Sequence, residues 1–533
     1  MNQNLPRFFL LFVITITGLT LKAQPQALYF EQGLRLQTEQ ALLSSGTLHS
    51  VWPYTAHDSA TSRLYADIKP LQGRFPSTWV GRKLLSESLI KVNTNDFSLR
   101  LDPLVNFEAG RQTSRDRNTW VNTRGFRADG TIGRDFSFHT AFYESQAVFP
   151  TWVDSVSRQL AVVPGQAYYK PFQEGKGFDY AFAEGHINWA PSKYFNFRFG
   201  HGKNFIGDGY RSLFLSDAAF NYPYLMINTN IWHIQYTNLY AQFQDLSRPA
   251  GGGSWTPWNK KYATMHHLSW NVTPWFNVSF FEAIVWKAAD STGQRGFDVN
   301  YLNPVIFYRP VEFSLGSPDN ALLGGSVRFT IRKKYMLYAQ LLLDEFKLEH
   351  VVKGDGWWAN KHGFQLGAKA WDLFNVPHLF VQAEYNHVRP YTYAHNESLQ
   401  NYGHYNQPLA HPQGANFREG NLLASYRLQR WQVGYKLVYC TYGADTAGLN
   451  FGKDIYQSYY TYVNEFGNEI GQGLKTTLVQ HDFTVSWLVN PATNLQLRAG
   501  ITARSLSNDV AGKQEMLVWF GLRSALFNQY YDW

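Results

Sequence analysis

The chain has little cysteine, little charge and, after its first residues, no long hydrophobic run. Its one cysteine, Cys440, excludes an internal disulfide and any zinc site built on several cysteines. Charged residues make up 17% of the 533 residues, below the roughly 25% of soluble domains, and aromatic residues also reach 17%. No later stretch approaches the roughly 18 to 20 apolar residues of a membrane-spanning helix. The composition therefore excludes a disulfide scaffold, a disordered chain and a helical membrane protein.

The first residues are typical of a secretory signal peptide. Arg7 precedes an apolar run over residues 8–21, and Ala23 is the small residue after which cleavage is expected. Removal of residues 1–23 lowers the net charge from +8 to +6, because two basic residues and no acidic residue are lost. The remaining excess lacks the clustered Lys and Arg that nucleic-acid binding uses. We expect an exported protein that binds no nucleic acid.

From about residue 97 onward, apolar residues follow a period of two. Residues 482–489 alternate between polar and apolar side chains, and residues 495–504 repeat the alternation after a short turn. This pattern predicts half-exposed strands joined as an antiparallel hairpin. We count about eighteen such runs. They begin near residues 97, 119, 134, 179, 194, 228, 238, 262, 275, 322, 334, 361, 377, 418, 430, 478, 494 and 514.

The connections between these runs differ in length. Short turns alternate with long connections such as residues 287–321, 391–417 and 442–479. Short periplasmic turns and long outer loops are typical of an outer-membrane barrel, and closure pairs every backbone group of a sheet in lipid. We therefore predict an all-β fold: a transmembrane antiparallel β-barrel of about 18 strands over residues 97–533, with long extracellular loops and a small N-terminal segment.

Aromatic residues collect at the strand ends, beside the turns. Trp189, Trp270, Trp275 and Trp431 are examples. Amphipathic rings form girdles where a barrel meets the membrane interfaces. A secreted β-protein, the alternative, buries mainly Val, Ile and Leu and scatters its aromatics. The distribution favours a barrel in the outer membrane, with membrane lipid as its first partner.

Residues 24–96 lie outside the barrel pattern. Apolar residues at near-helical spacing in residues 81–92 predict a short helix. We expect this N-terminal segment to lie in the periplasm or to plug the barrel.

The polar side of each strand should face the barrel interior, where function is expected. Eight basic residues fall on that side: Arg198, Arg328, Lys369, Arg427, Lys436, Arg498, Arg504 and Arg523. The acidic residues assigned to it are Asp344, Glu384 and Asp482. This excess favours a passage for anions, such as a phosphate-bearing or uronic-acid polymer. The alternative is that cross-barrel ion pairs fill the interior and fix its shape.

A glycine-dense segment, residues 200–225, matches no phosphate-binding pattern, because Gly200-x-Gly202 lacks the third glycine of the dinucleotide fingerprint. We interpret it as a loop at the barrel mouth that folds inward. Lys203, Asp208 and Arg211 are its candidate functional residues, with Asp208 and Arg211 holding the loop in place. A direct role in ligand binding is the alternative.

Two tryptophan-bearing loops place aromatic rings beside cations. The first contains Trp255, Trp258, Lys260 and Lys261, and the second contains Trp357, Trp358 and Lys361. Sugar rings stack on such aromatic faces, and the cations would meet acidic groups of a polysaccharide. The alternative is that these residues cap the mouth or belong to the outer girdle.

No pattern indicates catalysis, a metal site or a cofactor. The 16 histidines show no HExxH or related metal-binding spacing, and the adjacent His266 and His267 would point to opposite sides of a strand. The sequence therefore predicts a protein that is not an enzyme.

One stretch carries a family resemblance. Residues 199–220 read FGHGKNFIGDGYRSLFLSDAAF, and together with DPLVN at residues 102–106 and GLRSALFNQYYDW at residues 521–533 they resemble RemB-type gliding-motility proteins. The segment is more distantly similar to Wzi-type capsule-assembly proteins, from whose Leu-Ser-x-Asn-Ala-like run Asp217 and Ala218 depart. The resemblance implies an outer-membrane barrel of eighteen strands and a surface role in exopolysaccharide retention or motility.

We therefore expect a non-enzymatic outer-membrane barrel that binds or organises cell-surface polysaccharide, in capsule or exopolysaccharide assembly or in gliding motility. One alternative is an anion-preferring diffusion porin. Another is an accessory barrel of a secretion or motility machine, whose components would be partners.

Overall fold

The computed structural model describes residues 25–27, 31–57, 68–247, 256–290, 293–304 and 319–533. The predicted signal peptide, residues 1–23, and the candidate Trp255 lie outside the described residues. The division of the chain into signal peptide, N-terminal segment and barrel stays a prediction.

The described residues form a closed antiparallel barrel of 18 wall strands, which confirms the predicted all-β barrel. Pairing of β18 with β1, from Leu517 opposite Gln112 to Arg523 opposite Asn106, closes the ring. The strands are β1 (Phe97–Gln112), β2 (Arg117–Ile132), β3 (Phe136–Val148), β4 (Gly177–Trp189), β5 (Phe195–Gly202), β6 (Tyr222–Ile231), β7 (Ile234–Asp245), β8 (Asn259–Thr273), β9 (Phe276–Lys287), β10 (Asn320–Ile331), β11 (Tyr335–Glu345), β12 (Lys361–Trp371), β13 (Leu379–Val388), β14 (Phe417–Leu428), β15 (Trp431–Ala444), β16 (Leu474–Asn490), β17 (Leu495–Asn508) and β18 (Gly512–Arg523).

The helices and short strands lie between or before these wall strands. The helices are α1 (Gln32–Ser45), α2 (Arg74–Ser77), α3 (Trp79–Leu85), α4 (Thr151–Leu160) and α5 (Leu348–Lys353). Short strands occur at Pro25–Ala27, Val51–Trp52, Thr55–His57, Ile90–Asn93, Lys170–Phe172, Phe205–Ile206, Ala289–Asp290, Gly293–Gln294, Gly403–His404 and Gln407–Pro408. Single 3-10 turns occur at Thr113–Arg115, Val299–Leu302, Leu373–Asn375, Ser398–Gln400 and Tyr459–Thr461.

Most predicted strand starts agree closely with the observed ones, and the largest difference is at β6. Its start was predicted near residue 228, but the strand begins at Tyr222 and includes Pro223. Proline cannot donate a backbone hydrogen bond, but it is tolerated near the first residue of a strand. A proline in the sequence argues against a strand, so the predicted start lies after it.

The alternation of side chains explains why the barrel has an apolar outer face. On β17 and β18, Leu497, Ile501 and Phe520 point outward, and 67% of Phe520 is exposed. The polar residues between them point inward, where Thr502 and Arg504 are buried. A hydrophobic outer face around a polar interior is the arrangement of a barrel whose outside contacts lipid.

The two ends of the barrel differ. Turns as short as residues 232–233 and 274–275 lie at one end, which we name the short-turn end, and loops such as residues 389–416 and 445–473 lie at the other, the loop end. Exposed tryptophans at the short-turn end form an aromatic girdle: Trp189, Trp232, Trp275 and Trp431. Short turns face the periplasm in outer-membrane barrels, and the loop end corresponds to the extracellular end of such a barrel.

Residues 31–54 lie inside the barrel near the short-turn end. The Glu31 side chain caps α1 by accepting the backbone N–H groups of Gly33 and Leu34, and α1 ends at Gly46 in the left-handed conformation. Glu39 of this helix contacts Lys369 of β12, 2.6 Å away, and the Pro53 carbonyl accepts a hydrogen bond from Arg198 of β5. Contacts with strands on different sides of the ring place this segment in the lumen.

Residues 68–93 continue at the short-turn end. Asn490 donates to the carbonyls of Lys83 and Glu87, which attaches this segment to the turn after β16. The helix predicted within residues 81–92 is present only in part, as α3. Residues Ile90–Asn93 instead form a strand, because the first residues of β1 extend past β18 and need a backbone partner.

The lumen is filled in layers. A loop between β5 and β6, residues 203–221, lies above residues 31–54, and the loop of residues 389–416 covers it from the loop end. Tyr393 and Tyr402 of the covering loop donate to the carbonyls of Leu213 and Phe214, at 2.9 and 2.7 Å. The core of this protein is therefore the interior of its barrel. Among the described residues, no helix is both long and apolar enough to cross a membrane.

We expect loss of the buried Glu39 carboxylate to destabilise the barrel strongly. Glu39→Leu leaves both Lys369 and Arg35 buried without their carboxylate partner, which should lower the free energy of unfolding by about 3 to 5 kcal/mol. Urea titration in detergent micelles, followed by tryptophan fluorescence, measures the change. The double variant Glu39→Leu/Lys369→Met is the control and should recover part of the loss. Equal midpoints for the single variant and the wild type would contradict a structural role for this pair.

Candidate functional site

The inward loop, residues 203–221, is anchored first at Asp208. The Asp208 carboxylate accepts a hydrogen bond from Ser50 at 2.7 Å and pairs with Arg328 of β10 at 3.0 Å. Gly207 has a φ of +150°, and a Cβ on Gly209 would overlap the Glu384 carboxylate, so glycine permits this close approach. Asp208 thus ties the loop both to the N-terminal segment and to the barrel wall.

The second anchor is Arg211, which is buried. Its guanidinium pairs with Glu419 of β14 at 3.1 Å and with Asp532 at 2.9 Å, and its backbone N–H donates to Glu384. Asp532 also pairs with Lys436 of β15 at 2.6 Å. Burial opposes ionisation of Asp532, but the charges of Arg211 and Lys436 outweigh it and hold the pKa of Asp532 well below its usual range.

Lys203, the third candidate of this loop, is also buried. Its ammonium donates to the carbonyls of Gly165 and Asp217 at 2.7 and 2.9 Å. Burial lowers the pKa of Lys203 to about 8. Its contacts bridge the inward loop and the loop that follows α4.

The segment after β18, residues 524–533, turns back into the lumen, and we name it the tail. Tyr530 donates to Asp217 at 2.8 Å, and Asn528 donates to the same carboxylate at 2.9 Å. At its far end the carbonyl of Trp533 accepts a hydrogen bond from Arg504. The tail therefore joins the inward loop to the wall strands β15 and β17.

The predicted basic residues lie on the inward side of their strands, but carboxylates pair with four of the eight. Arg328 pairs with Asp208, Lys369 with Glu39, Lys436 with Asp482 and Asp532, and Arg504 with Glu515. The predicted excess of eight basic over three acidic residues is therefore wrong. The assignment from strand parity lacks the carboxylates of the N-terminal segment, the inward loop and the tail. It also omits Glu419 and Glu515, which lie on the wall strands β14 and β18.

The other four basic residues have different surroundings. Arg198 donates to the Pro53 carbonyl, and Arg427 contacts His378 near the short-turn end. Arg523 donates to Gln529 and to the Phe527 carbonyl, while the Arg498 guanidinium lies over the Trp519 ring, 5.4 Å from its centroid.

Above the filled lumen, the loop end holds a cavity of about 1350 Å³, which we name the vestibule. Its walls come from α4, residues 398–414, residues 445–457 and the tip of the β17–β18 hairpin, and tail residues form its floor. Charged side chains in its lining are balanced in number: Arg115, Lys453, Arg504 and Lys513 against Asp245, Asp445, Asp454 and Glu515. Amide side chains also line it: Gln159, Asn259, Asn406, Gln407, Gln413 and Gln457.

Two buried donors belong to residues that line the vestibule. Nε2 of Gln413 and Nε of Arg504 are buried and have no hydrogen-bond partner among the described residues. Lys453 donates to Gln413 at 2.7 Å and lies over the Tyr442 ring, and burial lowers the pKa of Lys453 to about 8. Buried donors are normally satisfied, so these two groups are exceptions beside the vestibule.

The first tryptophan loop lies at the rim of the vestibule. Trp258 contacts Tyr405 and Tyr168, with ring centroids 5.4 and 5.8 Å away, and Lys260 is exposed. Lys261, however, is buried and donates to Asn401. The prediction of an exposed cation is wrong for Lys261, because its side chain lies on the inward side of β8.

The second tryptophan loop lies elsewhere on the loop end and does not line the vestibule. Trp358 stacks on Tyr462 with centroids 4.9 Å apart, and Trp357 stacks on His350 at 4.6 Å. Lys361 is buried beside Asp344 at 3.1 Å, so the prediction of an exposed cation is wrong here too. These contacts are those of residues that hold neighbouring loops together.

Sequence reasoning missed most of the vestibule. Residues 398–414 and 445–457 have no periodic pattern, and their meeting with α4 and the tail depends on how the loops fold. The long connections after β13 and β15 were the sequence feature that could have indicated a cavity at this end. Among the described residues, no group of three or more His, Cys, Asp or Glu side chains is arranged to hold a metal ion.

The sequence matches no protein-family model and no curated protein. Among solved structures, the chain is similar to Wzi of Escherichia coli, an outer-membrane, carbohydrate-binding β-barrel involved in group 1 capsule assembly. That likeness has a TM-score of 0.53 at 12% identity and covers 95% of this chain and 100% of Wzi.

Two further matches have TM-scores below 0.5, which establish no shared fold. OprD of Pseudomonas aeruginosa matches at 0.41 with 11% identity, over 83% of this chain and 99% of that one. OccAB2 of Acinetobacter baumannii matches at 0.43 with 9% identity, over 81% and 98%. The resemblance to Wzi-type proteins is thus supported at the level of the fold, and that to RemB-type proteins stays a prediction. The chain has the fold of an outer-membrane β-barrel.

Proposed function

We propose that this chain is a non-enzymatic outer-membrane barrel that binds or organises cell-surface polysaccharide, in capsule or exopolysaccharide assembly or in gliding motility. The observation that carries the proposal is the vestibule: a large cavity at the loop end, lined by both polar and apolar side chains, with a floor formed by packed protein. A cavity that opens outward and is closed below is suited to holding a polymer segment at the cell surface.

The lining of the vestibule suits a saccharide. Amides, carboxylates and cations hydrogen-bond to hydroxyl groups, and the aromatic rings of Tyr442, Tyr456 and Trp533 supply apolar faces. At the rim, Tyr168, Trp258 and Tyr405 form an aromatic patch on which a sugar ring can stack. The fold shared with the carbohydrate-binding barrel Wzi agrees with this function.

The candidate contacts follow from this placement. Trp258 and Lys260 at the rim are the first candidates for polysaccharide contacts. Trp357 and Trp358 are weaker candidates, because their rings pack against neighbouring loops. The partners we propose are outer-membrane lipid around the wall and polysaccharide at the loop end.

The porin alternative requires an open lumen. An open lumen is not favoured here, because layers of protein fill the barrel: residues 31–54, the inward loop and the covering loop. The accessory-barrel alternative has an observation in its favour: Phe75, Trp79 and Leu84 on α2 and α3 are exposed at the short-turn end, where secretion or motility machinery would contact the barrel.

We expect Trp258→Ala to weaken polysaccharide binding about fivefold, because it removes a stacking face worth roughly 1 kcal/mol. Affinity electrophoresis through gels that contain alginate or dextran measures the retardation, and the two polymers separate an acidic from a neutral preference. Trp232→Ala is the matched control, since it removes an exposed tryptophan at the short-turn end, away from every candidate contact. Equal retardation of wild type and Trp258→Ala would show that this rim does not bind the polymer.

We expect the purified wild-type protein to give no steady current in a planar lipid bilayer, since its lumen is filled. Conductance in KCl, beside an open porin reconstituted in the same way, measures this. A large, steady and anion-preferring current would support the porin alternative in place of the binding function.

A further inference from the structure

A second cavity lies inside the barrel. It has a volume of about 450 Å³ and follows the inner face of β14 to β18 and β1. Its lining runs from Asn494, in a turn at the short-turn end, to Thr119 and Pro150 near the loop end. The first residues of α1 form part of its inner boundary. This inner cavity therefore extends along most of the height of one side of the lumen.

Only a thin layer separates the inner cavity from the vestibule. Trp152 and Tyr530 line both cavities. Trp533 lines the vestibule alone, Tyr531 lines the inner cavity alone, and Asp532 between them is fully buried. Tail residues 530–533 thus form the partition, with one face toward each cavity.

Side chains hold this partition in place. Among the described residues, the backbone hydrogen bonds of the tail to other backbone groups end at Ala525, and residues 526–533 form neither helix nor strand. Asp532 contacts Arg211, Lys436 and Tyr210, and Tyr530 contacts Asp217. Gln166 donates to the Tyr531 hydroxyl, and Arg504 donates to the Trp533 carbonyl. A segment held in this way can leave its place without breaking any wall strand, and such segments open more easily than a strand ladder.

The wall along the path has little net charge. The inner cavity is lined by Glu31, Glu108 and Asp482 against Lys436, Arg498 and Arg523. The vestibule is balanced in the same way, with four basic and four acidic side chains. Charged rings of one sign give pores their ion preference, so this path would discriminate weakly between anions and cations.

We propose that the barrel contains a gated passage for small hydrophilic solutes, formed by the vestibule and the inner cavity and closed by tail residues 530–533. Displacement of these residues joins the two cavities along the β14–β18 wall. When Asp532 is displaced, Arg211 still pairs with Glu419 and Lys436 still pairs with Asp482. The wall therefore retains these ion pairs as the passage opens.

Conductance of tail variants tests the passage. Asp532→Ala removes the main anchor of the partition, and deletion of residues 530–533 removes the partition itself. Asp116→Ala, at an exposed carboxylate of the loop end that lines neither cavity, is the control. Heat-dependent migration in gels establishes which variants have folded.

We expect the folded tail variants to show steady currents in KCl at least tenfold above those of the wild type and of Asp116→Ala. Under a tenfold KCl gradient their reversal potential should lie near zero. Folded tail variants that both remain as silent as the wild type would overturn the passage, and a strong preference for one ion would overturn its weak selectivity. If the deletion variant does not fold, the current of Asp532→Ala alone tests the passage.

Discussion

The structure depends on one constraint: a closed barrel in lipid turns half of every strand inward, and the polar groups collected there must find partners. Water cannot satisfy them once the lumen is packed, so protein must. The junction of Arg211, Glu419 and Asp532 shows how this is achieved. One guanidinium from the inward loop meets a carboxylate of the wall and another of the tail, all fully or almost fully buried.

This constraint links the filling of the barrel to its proposed function. The N-terminal segment supplies Glu39, the inward loop supplies Asp208, and the tail supplies Asp532, and each neutralises a basic residue of the wall. The same segments close the lumen. The loop end is not filled in this way, and the vestibule there presents polar side chains to the outside. The proposed binding at the surface and the closure below it thus follow from a single packing arrangement, and the tail lies where the two meet.

The fold was largely predictable, because its signals are local. Alternation places Leu497 and Arg498 on opposite faces whatever surrounds them, so strand number and sidedness follow from neighbouring residues. The candidate site was less predictable. Trp258 has a visible signal in its loop, but Lys261 and Lys361 were expected outside and are buried, since a cation beside an exposed ring in sequence can point to the other side of the strand. The residues of the vestibule lie mostly in loops, where polar and apolar residues do not alternate regularly.

The sequence by itself determined that this protein is a barrel with a lipid-facing outside, a polar inside and long loops at one end. The physical reason is that side-chain direction along a strand has a period of two and requires no distant contact. Only the tertiary structure decided what fills the barrel and where a cavity remains. Those features rest on pairs such as Arg211 and Asp532, which are 321 residues apart, and no local pattern records which charges meet across a lumen.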